Sequence, residues 1–339
     1  MHKRGLLKTS LLTALTLGLL LVCAPQTTWS QTANWKYYGF TALRNPVTQL
    51  MVDFAKEAKT LTKGKIDIRV FSRGELPYEP SDAVAIASKG LVQLANTEVS
   101  YIAGEVPISP LISMPLMIRT KAEALKAGHI FIPYLDKAIQ KKYNAKILWW
   151  YAWPPRKIMG KGDAPKSLAD LKGKRIRFPG PIGSEFLVRL GMVPVNVNPG
   201  DVATALQRGT LDGTSGAYVY LQATKWYEVC NWAYDIDAGG VFNLTLINKS
   251  VYDKLPANLK TALNELAKKY IKKATDLGFQ LEGKAVANFK KAGIKFVEPS
   301  SADLKLAREK MVPFWSQWAS QKGPQAAKAL NEVRQAIGK

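Results

Sequence analysis

Segments with the patterns of strands and helices alternate along this chain, and no other feature of the sequence limits its fold as strongly. Residues 34–40 read as a strand, and residues 65–71 alternate apolar and polar side chains as a half-buried strand does. Between them, residues 47–61 repeat apolar side chains at the spacing of an amphipathic helix. A helix over residues 81–87 and a buried strand over residues 91–95 continue the series. Repeated βα units predict an α/β fold with mainly parallel, doubly wound sheets.

A tryptophan-rich segment separates this series from a second one. Residues 147–155 concentrate aromatic side chains and end at two consecutive prolines, so we expect the chain to cross into a second domain here. The second series contains a strand, two helices and a turn that leads to a further strand (residues 175–178, 184–190, 201–208 and 209–213). Residues 244–248 are predicted to return as a strand to the first domain. A long helix is predicted over residues 257–292.

The first 30 residues have the pattern of a secretory signal peptide. A basic start precedes an apolar run over residues 11–24, and small side chains precede the predicted cleavage site after Ser30. The run of about 14 residues is shorter than the ~20 that a helix needs to cross a bilayer. We therefore expect a soluble mature chain in the periplasm, exported by a cleavable signal peptide. Cys23 leaves a lipid-anchored start as the alternative.

The chain is strongly basic. Its formal net charge of +22 falls to +19 if Lys3, Arg4 and Lys8 leave with the signal peptide. Such an excess attracts anions and anionic surfaces. Basic residues are nevertheless spread among acids with no run of five or more, so nucleic acid is not predicted as a partner. The charge is compatible with an anionic ligand.

Signals of catalysis and metal binding are nearly absent. After residue 30 the chain has one histidine and one cysteine, His129 and Cys230, which cannot build a zinc site. We interpret Cys230 as a packed core thiol and His129 as structural. The nucleophile elbow, the phosphate loop and the dinucleotide fingerprint are missing, so no catalytic residue, metal or cofactor is predicted. Paired carboxylates need no fixed spacing and keep an enzyme as an alternative.

Two arginines stand where an α/β sheet places its ligands. Arg177 ends a predicted strand, just before residues 179–181 and a helix start, and open α/β sheets bind ligands at this strand end. A guanidinium there can hold a carboxylate through two parallel hydrogen bonds, and the helix start favours negative charge. Arg156 also follows a predicted strand end. On spacing alone, a surface ion pair is the alternative for each.

At these residues the sequence resembles a known family. Residues 166–180, KSLADLKGKRIRFPG, are similar to the D-L-K-G-hydrophobic-K-I-R-V-P segment of solute-binding proteins from tripartite ATP-independent periplasmic (TRAP) transporters, the DctP family. Residues 201–209, DVATALQRG, are similar to the family's E-V-Y-x-A-L-Q-x-G helix, and residues 211–213, LDG, to its V-D-G turn. Further similar segments are LGMVPV, KWYEV and YDKLP (residues 190–195, 225–229 and 252–256). Nearly all of the mature chain follows this pattern.

The resemblance implies a two-lobed periplasmic-binding-protein fold, type II-like, with a long helix spanning both lobes. Lobe I is expected at residues 31–153 plus 242–281, and lobe II at residues 154–241 plus 282–339. A protein of this family closes its lobes on a small organic-acid ligand. It then delivers the ligand to TRAP membrane permease subunits that an ion gradient drives.

The resemblance also implies which residues bind the ligand. Arg177 matches the family's carboxylate-clamping arginine, and Arg156 matches a second arginine that assists it. The polar residues expected to contact ligand from the first lobe are Asn96, Thr97 and Glu98, with the choice among them open. Thr41, after the first strand, is a further candidate.

One segment departs from the family pattern. Many members follow the V-D-G turn with Gln-Glu-Asn, whereas this chain has Thr214, Ser215 and Gly216, of which the last two are candidate ligand contacts. The smaller side chains leave room for a ligand. The candidates for apolar walls, each with core packing as its alternative, are Trp153, Tyr218 and Phe242. We therefore expect a monocarboxylate with a bulky or aromatic body rather than sialic acid or a C4-dicarboxylate.

Two other functions remain open on the sequence. A binding protein of another transporter class would share the closing fold and differ in its membrane partner. A periplasmic enzyme acting on a carboxylic acid would show turnover.

Overall fold

The computed structural model describes residues 32–339 and has an α/β architecture with two β-sheets. Its strands are β1 (Ala33–Tyr38), β2 (Ile66–Phe71), β3 (Leu94–Glu98), β4 (Ala145–Trp153), β5 (Lys157–Gly160), β6 (Arg175–Arg177), β7 (Val193–Val195), β8 (Gly213–Gly216), β9 (Trp232–Tyr234), β10 (Val241–Asn248) and β11 (Lys295–Val297). Its helices are α1 (Pro46–Leu61), α2 (Ala83–Ser88), α3 (Lys121–Lys142), α4 (Gly180–Arg189), α5 (Val202–Gln207), α6 (Tyr218–Ala223), α7 (Lys249–Asp253), α8 (Ala257–Lys291), α9 (Ser301–Gln321) and α10 (Pro324–Ile337).

Part of the sequence prediction concerns residues that the structure does not describe. The expected signal peptide, residues 1–30, lies outside the described residues. Within residues 32–339, none of the helices combines the length and the apolar character that a membrane span requires.

The first sheet has the strand order β2-β1-β3-β10-β4. Strands β1, β2 and β3 run parallel, and β10 runs antiparallel to both β3 and β4. Helices α3 and α8 both pack against β4. The aromatic side chains of β4 therefore alternate between two covered faces, with Trp149 stacked on Phe54 of α1 and Trp150 meeting Phe242 of β10. This burial explains the nearly continuous apolar sequence of β4.

The second sheet has the strand order β11-β9-β5-β8-β6-β7. Strands β6, β7 and β8 run parallel, and so do β9 and β11, whereas β5 runs antiparallel to β8 and β9. Each sheet is therefore mixed, although mainly parallel sheets were expected. A parallel neighbour requires a crossover connection, usually a helix. Both β5 and β10 are entered directly from the other sheet, through residues 154–156 and 235–240, so their connections impose no parallel pairing.

Helix α8 is the long helix predicted from the sequence, and it has 35 residues. It packs against β4, where the indole N–H of Trp153 donates to the carbonyl of Ala274 at 3.1 Å. The two elements approach closely because the helix has Gly278 at the contact: a Cβ there would lie 2.3 Å from the indole ring of Trp153. Further along its length, α8 packs against α6, which lies on the side of the second sheet. One helix thus contacts elements associated with both sheets.

The lobe boundaries given above stay a prediction. Strands of the first sheet come from residues 33–98, 145–153 and 241–248, in agreement with a chain that crosses near residues 153 and 241. The C-terminal helix α10, placed in lobe II by the sequence, packs against α3, and Tyr134 of α3 donates its hydroxyl hydrogen to Glu332 at 2.8 Å. Contacts of the C-terminal residues therefore extend to the side of the first sheet.

Candidate functional site

A cavity of about 40 Å³ lies between residues of the two sheets. It is lined by Phe40, Val47, Glu98, Tyr101, Trp153, Arg156, Arg177, Pro179, Ser215, Gly216, Ala217, Tyr220, Val241 and Asn243. The carboxyl ends of β3 and β6 supply Glu98 and Arg177, which is the sheet edge where open α/β sheets bind ligands. A cavity of this volume holds only a few water molecules, at roughly 10–15 Å³ each.

Arg177 enters the cavity from the second sheet. It is 3% exposed, its Nε–H donates to the carbonyl of Val197 at 3.1 Å, and its Nη2 donates to the hydroxyl of Tyr101 at 3.1 Å. No acidic side chain in residues 32–339 forms an ion pair with it. Since an unpaired buried charge is costly, this guanidinium favours an anionic ligand.

The guanidinium of Arg177 remains charged in this environment. Burial alone lowers the pKa of Arg177, but Tyr101, Tyr220 and Glu98 outweigh that effect and hold the pKa above its usual value. The ring of Trp226 lies 5.5 Å from the guanidinium carbon, which adds a cation–π attraction. Arg177 therefore carries a full positive charge at any pH of biological interest.

Arg156 differs because it already has a counter-ion. Its Nη2 donates to Oε2 of Glu98 at 2.5 Å, and its Nη1 donates to the carbonyl of Gly240 at 3.1 Å. The other carboxylate oxygen of Glu98 accepts from the backbone N–H and the hydroxyl of Ser100, at 3.1 and 2.9 Å. Glu98 and Arg156 are both buried. Together with Arg177, these charged groups of the lining sum to a single positive charge.

The remaining lining combines apolar side chains with a few uncharged polar groups. The hydroxyl of Ser215 is buried and has no hydrogen-bond partner among the described residues. A buried polar group left unpaired costs about 1–3 kcal/mol, so a ligand that hydrogen-bonds Ser215 would remove this cost. Asn243, on β10, is another buried polar residue of the lining.

Six of the residues predicted to bind ligand line this cavity, namely Arg177, Arg156, Glu98, Ser215, Gly216 and Trp153. The other five do not, namely Asn96, Thr97, Thr41, Tyr218 and Phe242. The structure therefore brings both arginines and the acid of β3 together.

On β3, only the last of the three polar candidates reaches the cavity. The side-chain amide of Asn96 donates to the carbonyl of Leu244 at 3.0 Å, which ties it to the neighbouring strand. The hydroxyl of Thr97 donates to the carbonyl of Pro80 at 2.8 Å, on the opposite face of the sheet from Asn96 and Glu98. Of the three, Glu98 alone lines the cavity.

The other three predicted residues are buried away from the cavity. The hydroxyl of Thr41 bonds to another buried threonine hydroxyl at 2.8 Å. The hydroxyl of Tyr218 lies 3.3 Å from a carboxylate oxygen of Asp235, and its ring packs edge-on against Phe289 and Phe296. Phe242 lies on the opposite face of β10 from Asn243 and packs in the core of the first sheet. Both aromatics therefore pack in hydrophobic cores and do not line the cavity.

Eight lining residues were missed by the sequence reasoning: Phe40, Val47, Tyr101, Pro179, Ala217, Tyr220, Val241 and Asn243. Several adjoin a predicted residue, such as Ala217 after Gly216. Asn243 could have been found from strand alternation, because it neighbours Phe242 and must point to the other face. Tyr101 and Tyr220 carry no signal beyond their position in the fold.

No metal centre is found among the described residues, since no three His, Cys, Asp or Glu side chains of residues 32–339 are grouped as ligands. Cys230 is buried, as expected, and burial raises its pKa to about 12. His129 packs edge-on against Trp150 with ring centroids 5.2 Å apart and does not line the cavity.

Comparison with known proteins gives the same family that the sequence motifs resemble. The family described as "Bacterial extracellular solute-binding protein, family 7" (DctP) matches residues 39–322. A solute-binding protein of Chromohalobacter salexigens is 23% identical over 345 residues, which cover 99% of this chain and 98% of the relative.

Solved structures share the fold, and two of them illustrate the similarity. The first is DctP7, a Bordetella pertussis extracytoplasmic solute receptor binding pyroglutamic acid, with a TM-score of 0.84, 22% identity, and coverage of 90% of this chain and 100% of that chain. The second is a marine metagenome TRAP solute-binding protein specific for aromatic acid ligands, in complex with 3-hydroxybenzoate, with a TM-score of 0.83, 23% identity, and coverage of 91% and 99%. The chain is thus similar in fold to two-lobed receptors over nearly all of its described length.

Proposed function

The chain belongs to the DctP family of bacterial extracellular solute-binding proteins, and we propose that it captures a monocarboxylate and delivers it to a TRAP-type membrane permease. Capture of a small organic anion is the function of this family. The number of carboxylates on the ligand, the residues that hold it and the membrane partner are our proposal.

The charge balance of the cavity carries this proposal. Glu98 neutralises Arg156, which leaves Arg177 as the one cation of the lining without a counter-ion among the described residues. One carboxylate balances that charge. A second carboxylate would be desolvated without a partner, and an unpaired buried charge costs several kcal/mol. We therefore expect Arg177 to hold the ligand carboxylate and the Glu98–Arg156 pair to contact a neutral part of the ligand.

The ligands of structurally similar receptors agree with this proposal. Pyroglutamic acid and 3-hydroxybenzoate each have one carboxylate, and each also has a neutral hydrogen-bonding group. In this chain Ser215 and Asn243 are placed to meet such a group, while Trp153 and Val241 offer apolar surface. An aromatic body on the ligand stays an expectation, because two of the three aromatics expected to line its pocket lie elsewhere.

We expect the two sheets to separate before a ligand enters. A cavity of about 40 Å³ is far smaller than the roughly 300–1,000 Å³ of ordinary ligand sites. Gly180, with φ of +77°, begins α4 so close to Ser100 that a Cβ would lie 2.8 Å from its carbonyl oxygen. The arrangement therefore matches lobes that have closed, and binding by hinge motion is the proposed mechanism.

Binding without turnover, and a periplasmic location, complete the proposal. Residues 1–30 would act as the cleavable signal peptide. A ligand recovered chemically unchanged after prolonged incubation with the protein would support a receptor, whereas a new product would favour the alternative of an enzyme.

A panel of acids tests the ligand class. Native mass spectrometry of protein purified without refolding comes first, because a retained ligand would identify itself by mass. In thermal-shift and calorimetric titrations, 2-oxo, 2-hydroxy and aromatic monocarboxylates should then stabilise the protein more and bind more tightly than succinate, malate and fumarate. Ligands stabilise the folded state by mass action. Strong stabilisation by succinate and none by any monocarboxylate would mean that Arg156 and Arg177 serve separate carboxylates.

The variant Glu98→Gln sharpens the test. It removes the negative charge while keeping the side-chain shape, so the cavity would hold two uncompensated cations. We expect its affinity for dicarboxylates relative to monocarboxylates to rise at least tenfold compared with the unmodified protein. An unchanged ratio would show that the Glu98–Arg156 pair does not set the charge of the ligand.

A further inference from the structure

Helix α6 begins with backbone groups that another helix satisfies. The first N–H groups of any helix have no acceptor within that helix. In α6 the N–H groups of Tyr218 and Val219 donate to the two carboxylate oxygens of Glu282, at 3.1 and 2.8 Å. Glu282 belongs to α8, more than 60 residues further along the chain. Its carboxylate therefore joins the two helices.

The start of α6 also forms part of the ligand cavity. Ala217, the residue that precedes the helix, and Tyr220, in its first turn, both line the cavity. The ring of Tyr220 meets the ring of Trp226 edge-on at 5.4 Å, and Trp226 in turn faces the guanidinium of Arg177. A displacement of α6 would thus reach the group that holds the carboxylate.

The same face of α8 supports a second wall of the cavity. Ala274, Gly278 and Glu282 follow one another at four-residue spacing, which places them on one face of the helix. Ala274 accepts the indole hydrogen bond of Trp153, and Gly278 receives its ring. Trp153 lines the cavity from the first sheet. Two turns of α8 therefore contact two walls of the cavity, Trp153 of the first sheet and the start of α6 on the side of the second sheet.

We propose that Glu282 is a positioning residue of the ligand site, whose carboxylate fixes the first turn of α6 to α8 and so holds Ala217 and Tyr220 in the geometry that binds ligand. This inference rests on the proposed function, because it concerns the same cavity. Glu282 itself does not line that cavity. It acts through α6.

The surroundings of Glu282 make its charge sensitive to pH. The titratable or charged side chains around it are Arg119, Lys157, Tyr218, Asp235, Asp237 and Glu298. Lys157 is paired with Asp235 and Asp237, both at 2.7 Å, and no ion pair with Glu282 forms among the described residues. Burial raises the pKa of Glu282 to about 7, against the lowering effect of the two N–H bonds and Lys157. Protonation as the pH falls through this value removes acceptor strength and loosens the contact with α6.

Hydrogen–deuterium exchange tests the contact without any ligand. In the full-length protein at pH 8, Glu282→Ala should lower the protection factors of the amides of Tyr218 and Val219 at least tenfold, after correction for intrinsic exchange. Glu282→Gln keeps one acceptor and should give an intermediate loss. Glu265→Ala, an exposed glutamate on the same helix, is the matched control and should change nothing at α6. Unaltered protection in Glu282→Ala would overturn the proposal.

The pH dependence of ligand affinity tests the positioning role. The acid that most raises the melting temperature in the carboxylate panel serves as the probe. If only the ionised form of Glu282 supports binding, a pKa of about 7 gives an ionised fraction of roughly 0.9 at pH 8 and 0.1 at pH 6, so Kd rises about tenfold. In Glu282→Gln this dependence should disappear, whereas loss of fold stability alone would not remove it.

The two proposals fail separately. If no acid in the panel binds, the proposed function is refuted, and exchange at α6 still decides whether Glu282 fixes the helix. If acids bind but Glu282→Ala leaves their Kd unchanged, or Glu282→Gln keeps the full pH dependence, the positioning role is refuted while the receptor function stands.

Discussion

Replacing Arg177 by lysine is expected to weaken carboxylate binding by about 2–4 kcal/mol. A guanidinium has five N–H donors. Two of them go to Val197 and Tyr101, which leaves three without a partner among the described residues and permits two parallel bonds to a carboxylate. Lysine keeps the charge but presents a point-like ammonium that cannot reproduce this pair. It also leaves the carbonyl of Val197 without its donor.

The expected loss follows from the bonds removed. A hydrogen bond to a charged group is worth about 1.5–3 kcal/mol, and an unsatisfied buried acceptor adds about 1–3 kcal/mol. Allowing for a partial replacement by the ammonium, 2–4 kcal/mol corresponds to roughly 30- to 700-fold in Kd, at 1.4 kcal/mol per factor of ten. Isothermal titration calorimetry with the best acid of the panel measures this directly.

The matched control lies two residues earlier on the same strand. Arg175 pairs with Asp212, its side chain is 43% exposed, and it does not line the cavity. Arg175→Lys should therefore leave Kd within about twofold of the unmodified protein. If Arg177→Lys binds with unchanged Kd while its circular dichroism and unliganded melting temperature are also unchanged, Arg177 does not hold the ligand.

Three further outcomes are expected. In urea titrations, Gly278→Ala should lower the free energy of unfolding by about 1–3 kcal/mol, because its methyl would meet the ring of Trp153. Gly283→Ala, on the same helix but with open space around it, should raise the free energy of unfolding by about 0.5–1 kcal/mol. Equal effects of the two variants would contradict this packing. Cys230, whose pKa is raised to about 12, should resist iodoacetamide at pH 8 until the protein is unfolded in denaturant, and rapid alkylation of the native protein would place the thiol at the surface. Small-angle scattering should show a smaller radius of gyration with saturating ligand than without it, and identical values would argue against hinge closure.

Local patterns predicted many elements of the fold, but not the helices α3, α9 and α10. The periodicity of residues 47–61 and 257–292 gave α1 and α8 almost to their ends, because an amphipathic helix buries one face whatever its partner. Short elements were placed less well: β3 covers Leu94–Glu98 rather than residues 91–95, and α4 begins at Gly180 rather than at residue 184. The boundaries of β3 depend on which neighbouring strands supply its hydrogen bonds. That information is not local.

For the site, the sequence identified the charged groups better than the walls. Arg177 and Arg156 could be found from strand ends and from the resemblance to a family, and both line the cavity. Phe242 could not be assigned to a face of β10, because either face is compatible with its sequence until the register of the neighbouring strands is known. Tyr218 begins α6, and its burial depends on contacts with α8 and β11 that no local pattern records. Trp153 lines the cavity, and its contact with Ala274 of α8 shows why it faces the cavity side of β4.

Periodicity and residue types at fixed spacing were enough to establish the class of the fold and the family, and to predict a cation that would hold an organic anion. The tertiary structure decided which cation is available, because the pairing of Glu98 with Arg156 joins residues from two sheets and leaves only Arg177 of the lining without a counter-ion among the described residues. It also decided that Glu282 of α8 holds the start of α6. Such contacts join residues tens of positions apart, and no local pattern records the distance between them.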